Sequence, residues 1–324
     1  MKILIIGGKK FIGYHIALEA EKRGHDVTFF NRGQTYKELL PQFPCITGDR
    51  NEDMEKVKGM DFDAVIDTCA YFPHQVEKSV RALGDSIKKY LLVSTISTCD
   101  LSIAHFKETD PTCGIDFDSK EITGGTYGPL KVGCEKVLTD MLGHENSLII
   151  RPGFIVGERD HTDRFTYWPV MMDAMEEMIV PETGDLGFQF IDVRDLAAFI
   201  IHGLEKELHG IYLLTGPEQS YTFKEFIQDC HKFINPECQL KKVNEQWLLE
   251  HGIEKSQAFP LCYDETMAVG IHCVDITKAL KAGLKTRLIE ETLLSALEWY
   301  KAYKGDANDL AVGLNPTEMM KLMK

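Results

Sequence analysis

Apolar residues recur through the first half of the chain in short runs, separated by stretches with helical spacing. Residues 2–6 are almost wholly apolar, as in a parallel strand buried on both faces. Ile12, Ile16, Ala17 and Ala20 then recur at helical spacing. The same pattern predicts strands at 26–30, 44–47, 62–67, 90–94 and 148–150, with helices at 54–60, 74–83 and 126–142. Strands alternating with helices imply an α/β fold built on a doubly wound parallel sheet. A polar loop over 99–125 interrupts the rhythm, and loops of this length are usually functional or mobile. From about residue 159 the alternation weakens into helices at 164–177, 196–204, 223–233, 245–249 and 288–300, with short strands at 188–191 and 211–214. The expected organisation is a first domain over 1–158, with 188–214 returning to its sheet, and a smaller C-terminal α+β domain over 159–324.

The join between the first strand and the first helix carries the earliest chemistry. Gly7, Gly8 and Gly13 bracket a turn that also holds Lys9, Lys10, Phe11 and Ile12. A strand entering a helix through such a turn aims unpaired N–H groups and a positive dipole end at what lies above it, which favours a phosphate. The usual dinucleotide fingerprint has three glycines; lysines fill the middle of this one.

Composition narrows the classes. The 324 residues are 44% hydrophobic, enough for a sizeable core, and no apolar run approaches the roughly 20 residues that span a bilayer. A net charge of −14 argues against general affinity for nucleic acid or anionic membranes. The nine cysteines are scattered without a CxxC pair, as for reduced thiols, and no signal-peptide layout opens the sequence. A cytoplasmic location is therefore expected. His161, Asp163 and His272 lack zinc spacing, so no metal site is expected. Met171, Met172, Met175 and Met178, with Trp168, suit a core.

Tyr127 and Lys131 stand four apart, one turn apart on a single helix face. An ammonium near a phenol favours the phenolate, so this spacing predicts a tyrosine with a lowered pKa, able to exchange protons with an alcohol or carbonyl. The preceding strand ends in the hydroxyl run Ser94, Thr95, Ser97 and Thr98, which could face the phenol across a substrate oxygen.

Together these residues resemble the extended short-chain dehydrogenase/reductases, the group of nucleotide-sugar epimerases, dehydratases and related reductases. The resemblance rests on the glycine turn, Gly48-Asp49, Val65 to Ala70, the hydroxyl run, Tyr127 and Lys131 with Glu135, Arg151-Pro152-Gly153, and Phe190 to Asp195. The GGxxFIG turn with Asn31-Arg32-Gly33 is similar to a subgroup containing isoflavone-reductase-like and chloroplast stem-loop RNA-binding proteins. The resemblance implies a Rossmann domain, with hydride transfer at a secondary alcohol or ketone of a nucleotide sugar or another small molecule. Tyr127 would be its acid/base, and Lys131 the pKa tuner and ribose anchor. Thr95 would be the active hydroxyl by position, with Ser94 and Ser97 as alternatives. Gly7, Gly8, Lys10, Phe11, Ile12 and Gly13 would cradle the pyrophosphate, and Asp49 and Arg50 would flank the adenine. Cys69, Ala70 and Ser94 would line the cofactor, with Pro152 and Gly153 near the nicotinamide. Relatives dimerise through helices that here fall at 74–83 and 126–142, which implies a homodimer.

The cofactor can also be argued from the residues. NAD binding generally uses an acidic residue at the end of the second strand. Here neutral Asn31 is followed by Arg32, and a guanidinium suits a 2′-phosphate, with Lys9 and Lys10 adding charge. NADP is the expected cofactor and NAD the second choice. From residue 159 onward only Arg159, Arg164, Arg194 and Arg287 are available to pair with a substrate diphosphate. The subgroup resemblance also raises an RNA-binding protein or nuclease on a dehydrogenase scaffold as the alternative function.

Overall fold

The computed structural model describes residues 1–84, 87–265 and 270–323. The early strands are β1 (Lys2–Ile6), β2 (Asp26–Asn31), β3 (Cys45–Thr47), β4 (Ala64–Asp67), β5 (Lys89–Val93) and β6 (Ser147–Pro152). Later come β7 (Ile155–Val156), β8 (Glu177–Pro181), β9 (Ile191–Asp192), β10 (Gly210–Leu214) and β11 (Gln239–Val243). The principal helices are α1 (Ile12–Lys22), α2 (Pro73–Leu83), α3 (Tyr127–Leu142), α4 (Tyr167–Ala174), α5 (Val193–Glu205) and α6 (Phe223–Phe233). The chain divides into two compact units, the first made of Met1–Gly153, Val193–Thr215 and Val274–Lys285. Its first segment ends five residues short of the expected 158, and it takes in 274–285, which periodicity did not point to.

The first unit is a seven-stranded sheet in the order β10-β6-β5-β4-β1-β2-β3, parallel throughout. Its central strands are buried on both faces, which is why they read as unbroken apolar runs. Leu4, Ile6, Val65 and Leu92 pack in one cluster with Val76 and Val80 of α2 and Leu138 of α3. Each such fully buried side chain stabilises the fold by about 1.5–3 kcal/mol relative to exposure. The chain runs from β1 through β2 to β3, then restarts at β4 on the other side of β1. The strand order thus reverses between β1 and β4, where open α/β sheets form their ligand crevice.

The second unit comprises Phe154–Asp192, Gly216–Cys273 and Thr286–Lys324. Trp168 is fully buried, donates its indole N–H to the Pro260 carbonyl at 2.8 Å, and packs edge-on to Phe223. Met171, Met172, Met175 and Met178 are buried in the same cluster. Several predicted elements change here and in the first unit. The helix expected over 54–60 is a 3-10 turn at Met54–Val57, ended by Gly59 in a left-handed conformation. The helix expected over 164–177 stops at Ala174, because Met175 turns extended and 177–181 becomes β8. Its partner β11 carries Gln239, Lys241 and Lys242, too polar a pattern to read as a strand. Of the strand expected over 188–191, only Ile191–Asp192 pairs, with β7.

His272 shows how this core responds to acid. It is buried among Phe154, Phe188 and Tyr263, and its Nδ1 accepts the Gln189 N–H at 2.9 Å. Burial lowers its pKa from 6.5 to about 4. As pH falls, the unfolded chain takes the proton first, so stability present above pH 6.5 is lost towards pH 4. The full effect is about 3 kcal/mol. Urea midpoints measured from pH 7 to pH 4 should fall less for His272→Phe than for the wild type.

Candidate active site

The glycine turn is built so that backbone alone can occupy it. Gly7 has φ +140° and donates its N–H to the Phe30 carbonyl at 3.0 Å; a Cβ there would lie 2.0 Å from Thr68 Oγ1. A Cβ on Gly13 would lie 2.3 Å from the Gly8 carbonyl oxygen. Phe11 is the residue before α1 and Ile12 its first, so the positive N-terminal end of that helix directly follows the glycine turn. This cradle fits a pyrophosphate, which needs close backbone approach.

Lys9 departs from the expectation that it adds charge for a phosphate. It is buried, donates to the Leu40 carbonyl at 3.2 Å, and lies 5.2 Å from the centre of the Phe29 ring. It pins the segment after β2 instead. Lys10 is half-buried in the turn.

A cleft of about 320 Å³ opens at the C-terminal ends of β1, β2, β3 and β4. Gly7, Gly8, Asn31, Arg32, Asp49, Arg50 and Cys69 all line it. Asn31 Oδ1 accepts the Gly33 N–H at 2.9 Å, which leaves the neighbouring Arg32 exposed, without a hydrogen-bond partner among the described residues. Asp49 accepts the Asn51 N–H at 2.8 Å. The rim also includes Gln34, Thr35, Tyr71 and Gln75, none of which carried a sequence signal strong enough to single out.

Arg50 does more than flank a base. Its guanidinium makes a bidentate pair with Asp67, both contacts at 2.7 Å, and also donates to the Gln75 carbonyl and Ser79 Oγ. Tyr90 donates to the same carboxylate at 2.6 Å, and the Cys69 N–H at 3.1 Å. Burial pushes the Asp67 carboxyl up, but the Arg50 charge and these donors outweigh it and hold it below the usual range. Burial, followed by the Asp67 charge, holds the Tyr90 phenol well above its ordinary value. Asp67 is the signal that sequence reasoning passed over: a charge closing an otherwise apolar buried strand needs a partner. Burial likewise raises the Cys69 thiol, and raises Cys99 to about 12, which marks both as unreactive.

The hydroxyl run divides its duties. Ser94 donates to Glu135 Oε1 at 2.5 Å, and Glu135 is itself held by Arg151 at 3.0 and 2.6 Å. Its proton is committed to that buried pair. Thr95 donates to Ser97 Oγ at 3.2 Å and accepts the Ser97 N–H at 3.1 Å. The Thr95 hydroxyl lies close enough to the Tyr127 phenol to bear on its pKa. The approach is possible because Gly128 follows Tyr127: a Cβ there would lie 2.1 Å from the Ser97 carbonyl oxygen.

Lys131 corrects the sequence expectation for Tyr127. Its ammonium is buried and donates to the carbonyls of Ala70 at 2.7 Å and Val93 at 2.8 Å. Burial lowers the pKa of this ammonium. The Tyr127 phenol is raised above its ordinary value, first by burial and then by Tyr71, against the opposing Thr95 hydrogen bond. The hydrogen bonds of the Lys131 ammonium go to these two backbone carbonyls. At the end of β6, Pro152 pairs with Leu214, and Gly153 donates to the Leu214 carbonyl at 2.9 Å. Ala70 is buried.

In the second unit, Arg164 stacks over Phe154 at 5.0 Å, Arg287 lies 3.6 Å from Asp192, and Asp163 pairs with Lys304. Among the described residues, no group of three His, Cys, Asp or Glu side chains is placed to hold a metal ion, and no helix is long and apolar enough to cross a membrane.

The comparisons with known proteins agree with this fold. The sequence model of the NAD dependent epimerase/dehydratase family matches residues 3–214. An Arabidopsis thaliana protein, chloroplast stem-loop binding protein of 41 kDa b, is 27% identical over 282 residues, spanning 80% of this chain and 69% of its own. The Bordetella bronchiseptica enzyme WbmH, solved with NAD+, superposes with a TM-score of 0.67 at 16% identity, over 94% of this chain and 99% of that one. UDP-glucose 4-epimerase of Thermotoga maritima, solved with UDP-glucose, gives 0.63 at 17% identity, over 93% and 99%. The fold and the family agree, and the chain is an enzyme of the NAD dependent epimerase/dehydratase family.

Proposed function

We propose that this chain carries out NADP-dependent hydride transfer at a secondary alcohol or ketone of a nucleotide sugar or similar small molecule, with Tyr127 exchanging the proton. The observation that carries this reading is the grouping of Thr95, Tyr127 and Lys131 at the strand ends beside the glycine cradle. A bound nicotinamide supplies the hydride donor or acceptor. Gly7, Gly8 and the α1 N-terminus would hold the pyrophosphate, Asp49 would sit at the adenine, and Lys131 would take the ribose. Tyr127 keeps its proton at neutral pH and can donate it to a carbonyl oxygen that Thr95 orients.

NADP is favoured over NAD by Arg32, an exposed guanidinium on the cleft rim where NAD enzymes commonly place a carboxylate. Arg32→Ala should weaken NADP binding by about tenfold or more, the worth of a charged hydrogen bond, and leave NAD binding nearly unchanged. Calorimetric titration of both proteins with both nucleotides measures this; equal losses for the two would overturn the assignment of Arg32.

Stem-loop RNA binding is the second reading, supported by the name of the Arabidopsis relative. A steep salt dependence of RNA binding, with no thermal shift from NADP or NAD, would favour it. The net charge of −14 weighs against it.

A further inference from the structure

Tyr71 is part of the cleft wall in the first unit, and its ring also lies near both members of the proposed catalytic pair. Tyr71 lines the cleft, whereas neither Tyr127 nor Lys131 does. The Tyr71 side chain is 42% exposed. Its ring centre is 5.9 Å from Lys131 Nζ and 6.4 Å from the centre of the Tyr127 ring. An ammonium has three N–H donors, and two of those on Lys131 go to Ala70 and Val93. The ammonium lies over the face of the Tyr71 ring.

The backbone beneath that ring is fixed. The N–H groups of Tyr71 and Phe72 both donate to Gln75 Oε1, at 2.9 and 3.2 Å, and Gln75 Nε2 donates to Asn51 at 3.1 Å. The Tyr71 hydroxyl has no hydrogen-bond partner among the described residues. An exposed ring on an anchored backbone changes rotamer rapidly, so the side chain can swing while the cleft wall stays in place.

We propose that Tyr71 is a positioning residue that holds the Lys131 ammonium and yields it to the ribose of an incoming dinucleotide. This role presupposes the cofactor reading given above. The held state competes with the cofactor, and a site that is open for only a fraction of the time binds in proportion to that fraction. The ring carries the effect, through its face towards the ammonium; the hydroxyl does not.

Stopped-flow NADPH binding to the wild type, Tyr71→Phe and Tyr71→Ala tests this. Tyr71→Ala should associate about three- to tenfold faster, the factor expected from releasing a partly exposed cation–π contact. Tyr71→Phe should match the wild type within about twofold, since the phenylalanine ring keeps that contact. A merely structural role for Tyr71 would not speed binding. NADPH binding with equal association rates in all three proteins overturns the role of Tyr71 and leaves the cofactor reading standing. A folded wild type that binds neither NADPH nor NADH overturns the cofactor reading, and the role of Tyr71 with it.

Discussion

Replacing Tyr127 by phenylalanine is expected to lower kcat by about two to four orders of magnitude, the usual worth of a positioned acid/base. The substitution removes one hydroxyl from a half-buried ring at the first position of α3 and leaves the aromatic packing intact. NADPH affinity should therefore stay within about threefold of the wild type, because binding and proton transfer draw on different groups. The phenol lies above its ordinary pKa, so it is protonated at neutral pH and set to act as an acid. Of the neighbouring hydroxyls, Thr95 is the one that bears on the phenol's pKa, while the Ser94 proton is held by the buried Glu135. Thr95→Val should accordingly cost kcat, while Ser94→Ala should act mainly on stability. Steady-state turnover and NADPH titration of the variants check this; a Tyr127→Phe enzyme with undiminished kcat would remove Tyr127 from the chemistry.

The second large effect concerns the buried pair beneath the cleft. Asp67 is wholly buried and receives two bonds from Arg50, one from Tyr90 and one from the Cys69 N–H. Arg50→Met would leave that carboxylate buried without its counter-charge, and removing one partner of such a pair costs about 3–5 kcal/mol. Replacing both partners, as Arg50→Met with Asp67→Leu, should cost markedly less than the two single changes summed, because no charge is stranded. Urea unfolding of the two singles and the double gives the coupling directly. Additive losses would mean that the pair does not act as a unit.

The sheet was legible in the sequence because its strands are buried on both faces. Runs such as 2–6 and 64–67 carry almost nothing but apolar residues, and the turns between elements carry glycine. The glycine turn, Arg32 and the Tyr127/Lys131 spacing were equally readable, since each rests on local backbone or helix geometry. What escaped depends on partners distant in sequence. Lys9 looks like a free charge until Leu40 is seen to accept its proton, 31 residues away. Lys131 looks like a free ammonium until Ala70 and Val93 are seen to accept its hydrogen bonds. Asp67 offered a clue in its burial, but its partner Arg50 was readable only as an adenine neighbour. β11 escaped because its polar residues mask the pairing with β8.

The most direct test of the account is a fluorescence titration of the wild-type protein with NADPH, with NADH and a stem-loop RNA in parallel. The account predicts saturable binding of one NADPH per chain, at least about tenfold tighter than NADH, from the charge that Arg32 adds. Failure of the folded protein to bind either nucleotide, with saturable binding of the RNA, would contradict it.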